Sequence, residues 1–358
     1  MLLKITNTST MKTTFLTPFF LLTLSLSTQA QNLIAVQNGN SASFYTLLDS
    51  AIIHAQNGDT VYIPGGTFSL SVSVDKRLHI IGVGSVIDST LATGKSIING
   101  NLSLINDASY GSIMGISLLG VINTSENIYN YHLQRNYLAG LSMAISCSNW
   151  VFIENNIQGS ITNNVIGSIA NPSPGVSNCY FYNNIIGAFT PRGDFSYFGF
   201  NSSVFKNNVF LYSNQCYDYY NYCYAPIAAN FSLFENNIFV TSMYNECDYK
   251  SGSSIANSAL HNNLFVAYAY LNCSQNWGTN NIFWQELSTV FGPNYQLQPT
   301  CPGKNAGKDG TDIGIYGGAF PWKAGSVPSN PHIQFENVSG VDDAGNIHVK
   351  VKVAAQDR

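Results

Sequence analysis

The chain has 358 residues, enough for one large domain or two ordinary ones, and 45% hydrophobic side chains are ample for a sizeable core. Charged residues make up only 9%, against about 25% in an average soluble domain. A net charge of −4 with 15 Lys and Arg and no basic run excludes a nucleic-acid-binding surface, and too few exposed Glu and Lys remain for a coiled coil or helical bundle.

Residues 1–30 read as an export signal. Lys12 gives a positive start, Phe15 to Leu26 an apolar run, and Ser27-Thr28-Gln29-Ala30 a small-residue cleavage region before Gln31; Met11 is the better start than Met1. The run falls short of the ~20 residues that span a bilayer, so no membrane span is expected. The product is expected to be secreted, periplasmic or on the cell surface. In such an oxidising compartment some of the seven cysteines (147, 179, 216, 223, 247, 273 and 301) can pair, and the odd count leaves at least one free. Cys216 with Cys223, and Cys247 with Cys273, are the plausible disulfides. No CxxC spacing supports zinc.

Phe44, Leu47, Leu48, Ala51, Ile52 and Ala55 recur at helical spacing and stop at Asn57-Gly58, which predicts a short amphipathic helix. Gly58 to Phe68 (GDTVYIPGGTF) follows as a strand between turns. Further on, an Asn doublet followed by apolar residues recurs at 163–164, 183–184, 207–208, 236–237, 262–263 and 280–281, with a shorter version at 155–156. Strand-like runs such as Cys179-Tyr180-Phe181-Tyr182 precede most of them. Most spacings are about 18 to 29 residues, the period of a solenoid coil. Short β-branched and aromatic strands cannot bury an inner face alone, whereas stacked coils pair every backbone group about 4.8 Å above and below. Asn tolerates the left-handed conformation of a tight turn, and its amides can form a ladder along the stack. This predicts an all-β parallel β-helix. Leucine-rich repeats and propellers lack the required spacing; alternating β-sandwich strands stay open but leave the fixed Asn doublets unexplained.

Two ends make the pattern more specific. The helix leading through Gly-Asp-Thr-Val into Pro-Gly-Gly-Thr-Phe resembles the N-terminal motif of the pectate-lyase-like right-handed β-helix superfamily, and Asp309 to Gly318 (DGTDIGIYGG) resembles the closing strand of its secreted bacterial members. The resemblance covers about residues 45 to 318. It implies a right-handed solenoid with an N-terminal capping helix and a C-terminal strand or hairpin cap. The expected divisions are 1–30 signal, 31–68 N-terminal cap, 69–318 β-helix, and 319–358 linker and terminal strands, with Ile347 to Val353 alternating apolar and polar.

The resemblance also implies polysaccharide as partner. Lyases of the superfamily hold calcium with carboxylates from adjacent coils and use Arg or Lys as base; hydrolases use clustered Asp. Counting from the second Asn of each doublet, Asp194 and Asp218 lie ten residues on and Asp248 eleven. Stacked in register, these carboxylates would raise one another's pKa or recruit a cation, for which Ca²⁺ with oxygen ligands is the natural choice. Glu246 adds a fourth metal ligand, and Arg192 and Lys250 are the candidate bases. Asp is equally a turn residue, and all three lie in the longest repeats. Tyr217, Tyr219, Tyr220 and Tyr222 supply aromatic faces for sugar rings or, alternatively, pack back on the coil wall. His54, His79 and His261 are expected to be structural, whereas His132 with Arg135 could face a groove. Asp309 and Asp312 read as a tight closing turn. Three functions remain: a polysaccharide-binding protein, a lyase or glycoside hydrolase acting on a uronate-containing polysaccharide, and an adhesion scaffold. The chain is expected to be a monomer; no cofactor other than possible Ca²⁺ is implied.

Overall fold

The computed structural model describes residues 33–86, 94–144, 146–164, 176–189, 200–211, 229–240, 255–266, 276–283, 285–323, 326–329, 331–342 and 344–354. The export segment, residues 1–30, lies outside them. The described chain is dominated by strands gathered in long parallel sheets, an arrangement compatible with a β-helix.

The path is repetitive. Three-residue strands at Thr60–Tyr62, His79–Ile81, Ser112–Met114, His132–Gln134, Val151–Ile153, Tyr180–Tyr182, Val204–Lys206, Leu233–Glu235 and Ala259–His261 stack in parallel in that order. Between them the chain visits a second parallel sheet, from Gly66–Ser69 through Ser117–Thr124 and Tyr137–Ala144 to Leu264–Phe265. In the later coils it also visits a third, formed by Phe200–Asn201, Ala229–Asn230 and Ile255–Ala256. All these pairings are parallel, which removes the β-sandwich alternative.

Inward-facing side chains form the core. In the first sheet Phe152, Phe181, Phe205 and Phe234 stack rung on rung with centroids 4.1, 4.8 and 4.6 Å apart. In the second, Phe210, Phe239, Phe265 and Phe283 do the same at 4.8, 4.9 and 5.1 Å. Offset aromatic contacts of this kind add about 0.5–1.5 kcal/mol each beyond burial.

The turn between the first and second sheets explains the Asn doublets. Its leading residue sits at positive φ: 55° at Asn183, 57° at Asn207, 59° at Asn236, 53° at Asn262 and 58° at Asn280. Few residues accept that conformation as readily as Asn. The following Asn points inward, and Asn136, Asn155, Asn184, Asn208, Asn237, Asn263 and Asn281 form a buried ladder. Each side-chain amide donates to the next Oδ1 at 3.0 to 3.2 Å. That Oδ1 also accepts the neighbouring backbone N–H. Two doublets expected here fall elsewhere. Asn155 occupies the second place of the pair, with Glu154 at φ 53° before it. Asn163 and Asn164 pair with Met143 and Ala144 within the second sheet. A second ladder lines the corner before the first sheet, where Ser203, Ser232, Ser258 and Asn276 accept backbone N–H groups from the preceding rung at 3.0 to 3.1 Å.

The N-terminal end is closed by an antiparallel hairpin, β1 (Ile34–Asn38) and β2 (Ser41–Tyr45), and by helix α1 (Leu48–His54). Leu48, Ala51 and Ile52 are buried as the spacing predicts, but Phe44 lies on β2 and Leu47 precedes the helix, both exposed. Two-residue periodicity in so short a run is masked by the helical pattern beside it. Strand β1 pairs antiparallel with Thr60–Tyr62 and covers that edge.

Beyond the last coil the chain runs back along the stack. Residues 309–318 form turns rather than a closing strand. This strap contacts the turn residues in reverse order. Asn262 Nδ2 donates to Ala306 O (2.9 Å), Asn236 Oδ1 accepts Lys308 N (2.9 Å), Asn207 Nδ2 reaches Gly314 O (3.2 Å), and Asn183 Nδ2 reaches Ile315 O (2.8 Å). Arg135 Nη1 then donates to Val327 O (2.9 Å). At the next turn Gly115 (φ 68°) has no Cβ; one would stand 2.9 Å from Pro328 Cδ. Ile313 and Ile315 bury Ile185, Val209, Ile238 and Leu264 in a second apolar cluster. The strap therefore returns to the N-terminal coils, where Pro328, Pro331 and Ile333 border Leu33 and Ala35. The closing hairpin is β3 (His332–Val341) with β4 (Ile347–Ala354).

Candidate functional site

A groove of about 400 Å³ lies where the first described coils enter the first sheet, lined by Asn57, Arg77, Asp107, Ser109, Tyr110, Asn127 and Tyr129. The coil corner builds it. Tyr110 occupies the corner at φ 66°, a conformation rare for an aromatic residue, and is 61% exposed. Its N–H donates to Tyr129 O (2.9 Å), while Tyr129 N–H donates to Ser109 Oγ (3.1 Å), which fixes the two tyrosines on neighbouring rungs. Arg77 is held by its own backbone, with its N–H on Asn57 Oδ1 (2.8 Å) and its carbonyl accepting Gly58 N–H (2.7 Å). Gly58, at φ 94°, leaves room for the guanidinium, since a Cβ there would stand 3.1 Å from Arg77 Nη2. Asp107 is exposed on the short turn Asn106–Ala108. Neither Arg77 nor Asp107 forms an ion pair with a described residue.

Two residues along the same rungs, His79, Ser112 and His132 share a column of the first sheet. His79 Nδ1 and Ser112 Oγ are 2.9 Å apart. Burial, joined by the charge of Arg77, lowers the His79 pKa; burial alone lowers that of His132. Both shifts favour the neutral imidazole; His79 engages Ser112, whereas His132 Nε2 is buried without a hydrogen-bond partner among the described residues. The assembly offers two phenol rings, amides, a carboxylate and a guanidinium, the groups that stack on and hydrogen-bond to a polyhydroxylated ring. No group of three or more metal-ligating side chains occurs among the described residues.

The residues singled out from sequence lie elsewhere. Arg192, Asp194, Tyr217, Asp218, Tyr219, Tyr220, Tyr222, Glu246, Asp248 and Lys250 all lie outside the described residues. The strands before their segments are in register, with Ile185 pairing with Val209 and Val209 with Ile238. Cys216, Cys223, Cys247 and Cys273 also lie outside the described residues; Cys147, Cys179 and Cys301 are buried free thiols. Arg135 does not face a groove. It is fully buried, with Nε 3.0 Å from Glu154 Oε2 and Nη2 3.3 Å from Oε1. Asp312 holds Lys304 at 2.6 Å, and Glu235 bridges Lys206 (2.9 Å) and Lys308 (2.7 Å), so these charges fasten the strap. His54 Nδ1 lies 2.8 Å from Ser50 O on its own helix, and His261 Nδ1 lies 3.1 Å from Thr279 Oγ1 on the next rung.

Sequence reasoning missed Arg77, Asp107, Tyr110 and Tyr129 because the earliest coils lack the Asn doublet that marked the later ones. Tyr110 and Tyr129 line one groove from successive rungs but stand at different offsets, two residues before Ser112 and three before His132, so no periodic spacing marks them. Comparison with protein-family models, with curated proteins and with solved structures finds no match to this chain.

Proposed function

We propose that this chain is an exported right-handed parallel β-helix of the pectate-lyase-like kind that binds extracellular or cell-surface polysaccharide through the Tyr110–Tyr129 groove. The observation that carries the reading is the pair of exposed tyrosines, one at strained positive φ, flanking a polar groove on a rigid stack of coils. Nothing in the folding of the coil requires an aromatic residue at that corner, where Asn130, Asn149 and Asn178 serve on later rungs. A rigid scaffold holding such rings in place lowers the ordering cost of binding. The N-terminal apolar segment supports export, and the motif around Gly58, a helix leading into paired strands, supports the superfamily reading.

Glycan-array screening followed by calorimetry tests it. Tyr110→Ala and Tyr129→Ala should each weaken binding by about 2- to 12-fold, the equivalent of about 0.5–1.5 kcal/mol for one aromatic contact. Binding that survives both changes but is lost in Tyr219→Ala/Tyr220→Ala would move the site to the later coils. A lyase or hydrolase centred on Asp194, Asp218 and Asp248 is the second reading, favoured by the in-register strands from which their segments depart. Calcium-dependent release of unsaturated uronides would establish it.

A further inference from the structure

Strands β3 and β4 stand apart from the parallel sheets as a two-stranded antiparallel unit. Their turn is well specified. Asp342 N–H donates to Asn346 O (2.9 Å), Asp342 Oδ1 accepts Asn346 N–H (2.8 Å), and Asp342 Oδ2 meets His348 Nε2 at 3.0 Å. The register places Val338 opposite Val349, Val341 opposite Ile347, and Ile333 opposite Val353. Residues directly opposite in an antiparallel ladder share a face, so these six and Val351 form a largely apolar surface, interrupted at the position opposite Val351, which Glu336 holds. All seven are exposed, from 37% at Ile333 to 68% at Val341. His348, Lys350 and Lys352 alternate with the valines and occupy the other face. At Ile333 the apolar surface continues into a cleft of about 390 Å³ lined by Leu33, Ala35, Ile63, Ile81, Val83 and Pro331 among others.

A hairpin of two strands is at best marginally stable in water, and monomers rarely leave so many neighbouring aliphatic side chains uncovered. We infer that two copies of the chain associate through this valine face, in place of the monomer expected from sequence.

Three features select a second copy as the occupant. The seven residues are 37% to 68% exposed, on the order of 600 Å² of residue surface in all, an appreciable part of the ~800 Å² per partner of a standard interface. Two such faces stack as the inner faces of a β-sandwich do, valine into valine, about 10 Å apart. A two-fold arrangement is self-complementary and closed, the commonest symmetry of soluble assemblies. Charge disfavours edge pairing instead, because antiparallel self-pairing of β4 sets Lys350 against Lys350 or Lys352. The seven residues are aliphatic, without the Trp, Phe or Leu that anchor an interfacial element in lipid.

Light scattering after size exclusion, over a range of concentrations, tests the inference on the purified protein. The expected result is twice the chain mass, falling to one chain in Val349→Lys/Val351→Lys and unchanged in Lys350→Glu. Circular dichroism with the same thermal midpoint shows that the variant retains its coils. Without any substitution, exchange of the 347–354 amides should slow as concentration rises. A single-chain mass throughout with concentration-independent exchange would overturn the proposal, whether or not the protein then sediments with lipid vesicles.

Discussion

Removing one rung of the Asn ladder tests the fold at its most specific point. Asn208 donates from its backbone N to Asn237 Oδ1 (2.9 Å) and from Nδ2 to Phe181 O (2.9 Å) and Asn237 Oδ1 (3.0 Å). Its own Oδ1 accepts Asn184 N (2.9 Å) and Asn184 Nδ2 (3.0 Å). Asn208→Ala leaves the first of these bonds intact but strands the buried Asn184 N–H, while Asn184 Nδ2 keeps Phe152 O (2.9 Å) and Tyr182 O (3.1 Å) and the Phe181 carbonyl keeps its place in the strand ladder. The orphaned N–H costs about 1–3 kcal/mol and the lost side-chain bonds about 0.5–1.5 kcal/mol each, so about 2–4 kcal/mol is expected, a large share of a typical 5–15 kcal/mol. The neighbouring change Asn207→Gly is the control. Glycine accepts φ 57° without strain, and the loss is confined to two long hydrogen bonds to the strap, at 3.2 and 3.3 Å. That should cost about 1–2 kcal/mol. Urea unfolding followed by tryptophan fluorescence compares the two. If Asn208→Ala falls within 1 kcal/mol or so of the parent, or costs less than Asn207→Gly, the ladder does not carry the stability argued for it.

Three further outcomes follow from the buried charges and thiols. Arg135→Met should cost about 2–4 kcal/mol by removing the main partner of the buried Glu154, which keeps only Lys323, and Arg135→Met/Glu154→Leu should recover most of it, as measured by urea midpoints. Burial raises the Glu235 carboxyl, but Lys308 and Lys206 outweigh it and hold the group below its ordinary 4.5. Its stabilising effect is therefore complete above about pH 4.5 and is lost as pH falls through the depressed value, an acid loss of stability that Glu235→Gln should reduce. Burial pushes the thiols of Cys147 and Cys301 up and that of Cys179 to about 12. Alkylation mapped by mass spectrometry should leave all three unmodified until the protein is unfolded.

The repeat was legible because one corner imposes one conformation and one hydrogen-bond pattern on every rung, and Asn satisfies both. Where other residues meet the same need the signal fades. Arg135 and Glu154 occupy the doublet's leading place without matching it, and Arg135 reads as a residue that could face a groove, since nothing local announces the strap 192 residues away that buries it. Hairpin β1–β2 was hidden for a related reason: it closes an edge, and edge closure leaves no periodic mark. The groove was illegible because its members come from four successive rungs and are aligned by stacking alone. Asp194, Asp218 and Asp248 were chosen by counting along the chain, a procedure that holds only where coil lengths match.

The low charge content has a second consequence for the proposed site. Glu154, Glu235 and Asp312 are committed to Arg135, Lys206, Lys308 and Lys304, most of them along the strap. Recognition in the groove then falls largely to uncharged groups, the rings of Tyr110 and Tyr129 and the amides of Asn57 and Asn127, with Arg77 and Asp107 opposing one another in net charge. Stacking and amide hydrogen bonds are insensitive to ionic strength, whereas exposed charges are screened beyond about 10 Å at 0.1 M salt. Saccharide affinity should therefore change less than about twofold between low and high salt, and Arg77→Ala should weaken binding less than Tyr110→Ala. Affinity that collapses with salt, or with Arg77→Ala alone, would make the groove an anion site rather than an aromatic platform and would reverse the roles assigned to its residues.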